Sequence, residues 1–313
     1  MIQKKFLFTF ILLLFLSVLV FNSTAQQITI LTGSPGGGWY ARGAAIAGIF
    51  GKMGIEANAE VGGGIANIIN LDQGKGEIGL TYTNVPMMAI NAEPPFEKSI
   101  VSTRGLFTLD PSWMHISVLK SSGIKSIGDL KGARFASQPV GQVTQKCFAD
   151  ILKVHGLEEN DLELARGSQQ FSYDAMKDRN IQGYAHLTQL PTGNISELAL
   201  TVGIDLIGIT PEKFEELKAI NPGYKYDPIP GGIYTGIDED VPTIMIELIA
   251  VCHEDMPDED AYMIVKTLVE NIDSIRGVHA ALKNLTVEDF ANVSGVPLHP
   301  GAEKYYREIG VLK

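Results

Sequence analysis

The chain has 313 residues, enough for two compact units at roughly 150 residues per domain, and is 45% hydrophobic and 19% charged. That composition excludes disordered, collagen-like and coiled-coil classes. A net charge of −11 argues against a sequence-independent grip on nucleic acid phosphates, and two cysteines are too few for a zinc cluster or a disulfide-stapled mini-domain.

In chain order, Lys4-Lys5 precede an apolar run from Phe6 to Phe21, which leads into Asn22-Ser23-Thr24-Ala25-Gln26. The run is shorter than the roughly 20 residues that span a bilayer. With small residues at Ser23 and Ala25, it reads as a signal peptide (residues 1–25) cleaved after Ala25. No cysteine follows to accept a lipid, so the expectation is a soluble exported protein, located in the periplasm.

The mature part opens with a β-branched run, Gln27 to Thr32, a glycine-rich turn, Gly33 to Gly38, and a small-residue helix from Trp39 to Phe50. A strand at Glu56 to Val61, the turn Gly62-Gly63-Gly64, a helix through Ala66 and Leu71, and a strand at Ile78 to Tyr82 follow. The unit recurs: strand Ala133 to Ser137, turn Gln138 to Gln142, helix Val143 to His155, strand Leu162 to Ala165, helix Gln169 to Lys177 and strand Ile181 to Leu187. Ile244 to Val251 reads as an apolar strand and Ala261 to Ile272 as an amphipathic helix. Such alternation predicts α/β architecture, with a parallel sheet covered by helices. Cys147 falls on a helix and Cys252 on a strand, both among apolar residues, which predicts two free, buried thiols.

Several motifs resemble the substrate-binding component of tripartite ATP-independent periplasmic (TRAP) transporters, in particular the TAXI family. They are Thr32-Gly33 with Gly37-Gly38-Trp39-Tyr40 and Gly43; Gly62-Gly63-Gly64-Ile65-Ala66-Asn67; Ser126-Ile127-Gly128-Asp129-Leu130-Lys131-Gly132; Asp240-Val241-Pro242-Thr243; and Leu298-His299-Pro300-Gly301-Ala302 with Tyr305 and Gly310. The chain departs from the family pattern at Gly141-Gln142-Val143-Thr144 and at Gly64. The resemblance implies a two-lobed periplasmic-binding-protein-like fold, with a ligand cleft between lobes and two interlobe crossings. Lobe I is expected at 26–118 plus 246–313 and lobe II at 119–245. It also implies a monomer that delivers a small organic anion, expected to be a carboxylate-bearing metabolite such as an amino acid, to a TRAP-type membrane permease. A receptor for an ABC permease or a sensor kinase is the alternative.

The site follows from general physics. In parallel α/β sheets, ligands collect beyond the carboxyl ends of the strands, where helix amino termini offer unpaired N–H groups. Glycine there lets a ligand approach the backbone, so an acidic protein can still hold an anion. The expected ligand-binding residues are Ser34, Gly37, Gly38, Trp39, Tyr40, Gly63, Gly64, Asn67, Tyr82, Asn84, Gln138, Gln142, Val143, Thr144 and His186, with Thr83 and Thr188 on the same rim. No cofactor, metal or catalysis is expected. Gly36-Gly37-Gly38-Trp39-Tyr40-Ala41 does satisfy a dinucleotide-binding pattern, with Glu60 ending the next strand. Two bulky aromatics in that turn, together with export, argue against a nicotinamide-dependent oxidoreductase. A serine hydrolase fails because Gly33-Ser34-Pro35-Gly36 lacks the nucleophile elbow.

Overall fold

Strand β1 (Ile28–Leu31) lies between β2 (Ala57–Glu60) and β3 (Ile78–Tyr82), all parallel. The computed structural model describes residues 27–33 and 38–313; the leader and Ser34 to Gly37 lie outside the described residues. Helix α1 (Gly38–Lys52) follows β1, α2 (Gly64–Asp72) follows β2 and α3 (Val85–Ile90) follows β3. In α1 the buried residues Arg42, Gly43, Ile46, Ile49 and Phe50 recur at helical spacing. Gly43 is needed for this docking, since a Cβ there would lie 2.1 Å from the methyl of Thr32.

The second set of parallel strands is β5 (Arg134–Ser137), β6 (Glu163–Arg166) and β7 (Gly183–Thr188), with helices α4 (Val143–Val154), α5 (Gln169–Lys177) and α6 (Gly193–Thr201) in the connections. Two long antiparallel strands, β4 (Thr103–Leu119) and β10 (Val241–His253), join the sets into one sheet of order β2-β1-β3-β10-β4-β7-β5-β6. Two further strands, β8 (Ile204–Leu206) and β9 (Lys225–Ile229), pair with β4 and β10 respectively. Helix α7 (Pro211–Ile220) precedes β9. The chain ends in helices α8 (Asp258–Glu270), α9 (Ile272–Arg276), α10 (Val287–Ala291) and α11 (Pro300–Glu308).

The fold is therefore α/β with two lobes, as the sequence predicts, but the sheet is mixed and not parallel throughout, because β4 and β10 run antiparallel to their neighbors. Each lobe has its own apolar interior. One is built on α1, α8 and the β1/β3 end of the sheet. The other has two faces, one under α4 and α7 and one under α5 and α6. Cys147 in α4 and Cys252 in β10 are buried and unbridged, as predicted. Burial pushes both thiols up, Cys147 to about 12, so neither is a reactive thiolate.

Strands β4 and β10 carry the crossings. From Thr103 to Trp113 the partner of β4 is β10, and from Trp113 to Val118 it is β7. In β10, Val241 to Met245 pair with β9, whereas Leu248 to Val251 pair with β3. The boundary expected at 118/119 thus falls at the carboxyl end of a continuous strand, and the change of partner comes near Trp113. The boundary expected at 245/246 adjoins the change in β10. At this point Pro111 faces Glu247 and the register slips between Glu247 and Ile249. A proline and a bulge belong together, because proline cannot donate to the ladder and the bulge absorbs the missing bond.

Candidate functional site

The carboxyl ends of β1, β3, β5 and β7 converge on the seam where β4 and β10 change partners. Gly38 opens α1, with no room for a Cβ, which would sit 2.6 Å from an Arg42 guanidinium nitrogen. Trp39 lies edge-on to Tyr82, with ring centroids 4.8 Å apart, and covers Gly33 and Gly64. It fastens the turn to the sheet. Tyr40 is partly buried beside it. The Tyr82 hydroxyl is 3.5 Å from Ser112 Oγ on β4, and burial pushes its phenol up to about 12, so it is a neutral donor.

Of the sequence-predicted residues, Ser34 and Gly37 lie outside the described residues. Asn67 takes a bracing role instead of the expected ligand contact. It is fully buried, its Nδ2 donates to the carbonyls of Leu31, Thr32 and Leu80, and its Oδ1 accepts from Gly63 N. The amide is saturated. Gly64 accepts from Thr81 Oγ1 at 2.9 Å. His186 is also corrected: β7 runs on to Thr188, so the imidazole lies in the interior of lobe II beside Tyr184 and not on the rim.

Asn84 stays at the seam. It is fully buried, its Nδ2 donates to Cys147 Sγ in the other lobe at 3.6 Å, and its Oδ1 has no partner among the described residues. Across from it, Ser137 ends β5 with a buried Oγ that also lacks a partner. The turn that follows holds Gln138, partly buried, and Gln142, exposed. Gly141 adopts φ of 88°, which glycine tolerates, and its N–H meets Gln145 Oε1. Val143 packs against apolar clusters of both lobes, and Thr144 is buried in the first turn of α4.

Sequence reasoning missed the charged center of the seam. Arg42 and Asp110 form a bidentate pair, Nε to Oδ1 and a terminal nitrogen to Oδ2, both at 2.7 Å, with 2% and 1% side-chain exposure. Gln189, in the loop after β7, donates to the same Asp110 at 2.6 Å. The signal was present: Arg42 is the one cation among the small and apolar residues Gly38 to Phe50, and a buried cation demands a buried partner. Nothing local pointed to Asp110, which lies 68 residues away.

Other polar contacts cross the seam. Thr83 Oγ1 donates to Gly223 O, and Asn221 Nδ2 donates to Asn84 O, both at 2.8 Å. Lys146 of α4 pairs with Glu93 at 2.7 Å, and Lys225 of β9 with Glu247 at 2.6 Å. With Arg42 neutralized by Asp110, an anion at this seam meets neutral donors and helix amino termini.

A cavity of about 600 Å³ opens at the other end of lobe I. Its apolar floor includes Ile28, Ile55 and Ile264, and its walls carry Glu56, Asp72, Glu77, Asp255 and Asp260. Those carboxylates repel an anion, so the strand-end seam is the better anion site despite the cavity's size.

The sequence profile described as the NMT1-like family matches residues 30–310. Among solved structures, a Xanthomonas citri protein bound to ATP aligns with a TM-score of 0.54 at 10% identity, over 91% of this chain and 96% of that one. The periplasmic aliphatic sulfonate-binding protein of Escherichia coli aligns with a TM-score of 0.46 at 15% identity, over 90% and 82%. A protein of Methylobacillus flagellatus, described as the periplasmic sulfonate-binding protein of a sulfonate ABC transporter, gives 0.48 at 17% identity, over 90% and 77%. The matching profile is that of the NMT1-like family and not one described as TAXI.

Proposed function

The chain belongs to the NMT1-like family, and from that premise we propose that it is an extracytoplasmic solute-binding protein that captures a small organic anion by lobe closure and hands it to a membrane permease. The observation that carries this reading is the seam itself. Two lobes, each with its own apolar interior, meet through hydrogen bonds and ion pairs, with Val143 and Tyr82 as the apolar contacts, next to the two strands that join them. Polar seams of this kind open at small cost compared with an apolar core. No catalysis is part of the proposal.

The anion rests on the amino termini of α1 and α4, with Thr144 and Tyr40 as hydroxyl donors and the rings of Trp39 and Tyr82 against its carbon skeleton. Micromolar capture requires about −8 kcal/mol, and one helix terminus contributes only about 0.3 to 1 kcal/mol. Charge-assisted hydrogen bonds, roughly 1.5 to 3 kcal/mol each, supply the larger share. Asn84 Oδ1 and Ser137 Oγ, both without partners among the described residues, are further groups for the solute to satisfy.

Mass spectrometry of small molecules that co-purify with the protein identifies the solute, and calorimetry on folded Tyr40→Phe, Thr144→Val and Gly38→Val proteins tests the placement. Each variant should bind more weakly, Gly38→Val most of all. Three wild-type affinities, or a solute without an acidic group, would refute the site.

Two classes of permease fit this role. The ABC class is the one named for the Methylobacillus flagellatus protein. The motifs around Gly62 to Asn67 and Asp240 to Thr243 resemble the TRAP class, which the matching NMT1-like profile does not carry. Uptake by cells carrying the neighboring permease genes separates them: dependence on ATP hydrolysis marks the first, and dependence on an ion gradient alone marks the second.

A further inference from the structure

Inside lobe II, away from the seam, three buried polar side-chain atoms have no hydrogen-bond partner among the described residues: Ser117 Oγ, the Tyr184 hydroxyl and His186 Nε2, in residues 0%, 0% and 4% exposed. They belong together. Ser117 faces Tyr184 and His115 faces His186 in the β4/β7 register, so all four side chains lie on one face of the sheet. That face is the one covered by α5 and α6, where Tyr184 packs among Tyr173, Met176, Ile195 and Leu198.

The neighboring polar groups do not satisfy them. His115 Nδ1 is 3.0 Å from the carbonyl of Trp113, which only accepts, so Nδ1 carries the proton of the neutral ring. Its Nε2 is then an acceptor, and the Tyr234 hydroxyl, 3.0 Å away, donates to it. The same hydroxyl oxygen accepts from Thr192 N at 3.2 Å. Tyr234 has no second proton to give His186.

We propose that this face of lobe II holds an ordered internal water, bound by Ser117, Tyr184 and His186. A buried water makes about three hydrogen bonds, typically to polar groups otherwise unsatisfied, and three such atoms share this face of the sheet. Its mixed donor and acceptor character suits two hydroxyls and a neutral imidazole. An anion finds no positive charge, because burial holds His186 neutral with its pKa near 3. His186 lies two residues inside the last residue of β7. Tyr184 lies four residues inside Thr188, the last residue of β7, and at about 3.3 Å per residue this is on the order of 13 Å below the strand end.

Oxygen-17 magnetic relaxation dispersion on the mature protein, with a high-resolution crystal structure, provides the test. The expected result is a long-lived water within hydrogen-bond distance of at least two of the three atoms. Ser117→Ala and Tyr184→Phe should then each lower Tm by about 2 to 4 °C, because each removes a bond that the water makes. A dry site, with Tm unchanged or raised in the variants, overturns the proposal. So does electron density for the captured solute in the same place. Should either variant fail to fold, the relaxation and crystallographic measurements on the unmodified protein still decide.

Discussion

The two lobes treat buried polarity differently. In lobe I, Asn84 at the seam apart, the buried polar side chains among the described residues are engaged: Asn67 ties three backbone carbonyls and one N–H, His299 bonds Met256 O and Gly301 N, and Tyr306 reaches Leu106 O. Lobe II holds Ser117, Ser137, Tyr184 and His186 with atoms unpaired among the described residues. Saturated networks rigidify their surroundings. Lobe I is thus a braced platform for its glycine turns, whereas lobe II keeps polar groups in reserve for small molecules.

Acid should expose this contrast most strongly. Burial, above all, holds His115 near pKa 4 and His186 near 3, with the charge of His115 adding to the second. An unfolded histidine titrates near 6.5. Below that pH the unfolded chain binds more protons than the folded one, so stability is complete above about pH 6.5 and declines toward pH 4. The slope is about 1.4 kcal/mol per pH unit for each histidine. Hydrogen exchange at pH 7 and pH 5 should show β4 and β7 of lobe II losing protection before β1 and β3. The reverse order would break the comparison.

Next in size is the charged pair at the seam. Asp110→Ala leaves Arg42 buried and unpaired, and should lower the unfolding free energy in urea by about 3 to 5 kcal/mol. Joint replacement by Arg42→Met and Asp110→Leu should recover most of that loss, because matched apolar groups carry no desolvation cost. If the double variant is as unstable as Asp110→Ala alone, the pair acts through shape and not through charge.

Gly223→Ala tests the closing of the lobes. A Cβ at Gly223 would lie 2.2 Å from the carbonyl oxygen of Thr83 across the seam, with backbone on both sides, so the lobes must part. Scattering should report a larger radius of gyration, and solute affinity should fall about tenfold, or about 1.4 kcal/mol. Unchanged values for both would mean that closure does not involve this contact. Smallest of all is Glu93→Gln, which removes one partner of the half-exposed Lys146 while Asp150 remains at 2.8 Å. A change of at most about 1 kcal/mol is expected, shrinking further at high salt.

Much of the parallel architecture was legible because it is local. Strands β1, β3 and β5 and helices α4 and α5 announce themselves by apolar periodicity and by the glycines that end or begin them. Strand β4 was not legible: Asp110-Pro111 interrupts Leu106 to Trp113, and a strand buried on both faces shows no alternation. The rim residues Asn84 and Thr144 follow from strand ends. The roles of Asn67, His186 and the Arg42–Asp110–Gln189 cluster depend on contacts between distant segments, which no local pattern encodes.

Strand β10 lies between β3 and β4, yet it is made last of all the strands. Residues 103 to 206 contain β4 to β8, so most of the lobe II sheet can pair as soon as that stretch is free. Lobe I must wait for Leu248 to Val251 to slide in beside β3, some 165 residues further along the chain, and such distant pairing is slow. A chain threaded through a membrane amino terminus first would therefore emerge with its leading lobe still open at the center. The last seventy residues would set the moment at which it becomes protease-resistant.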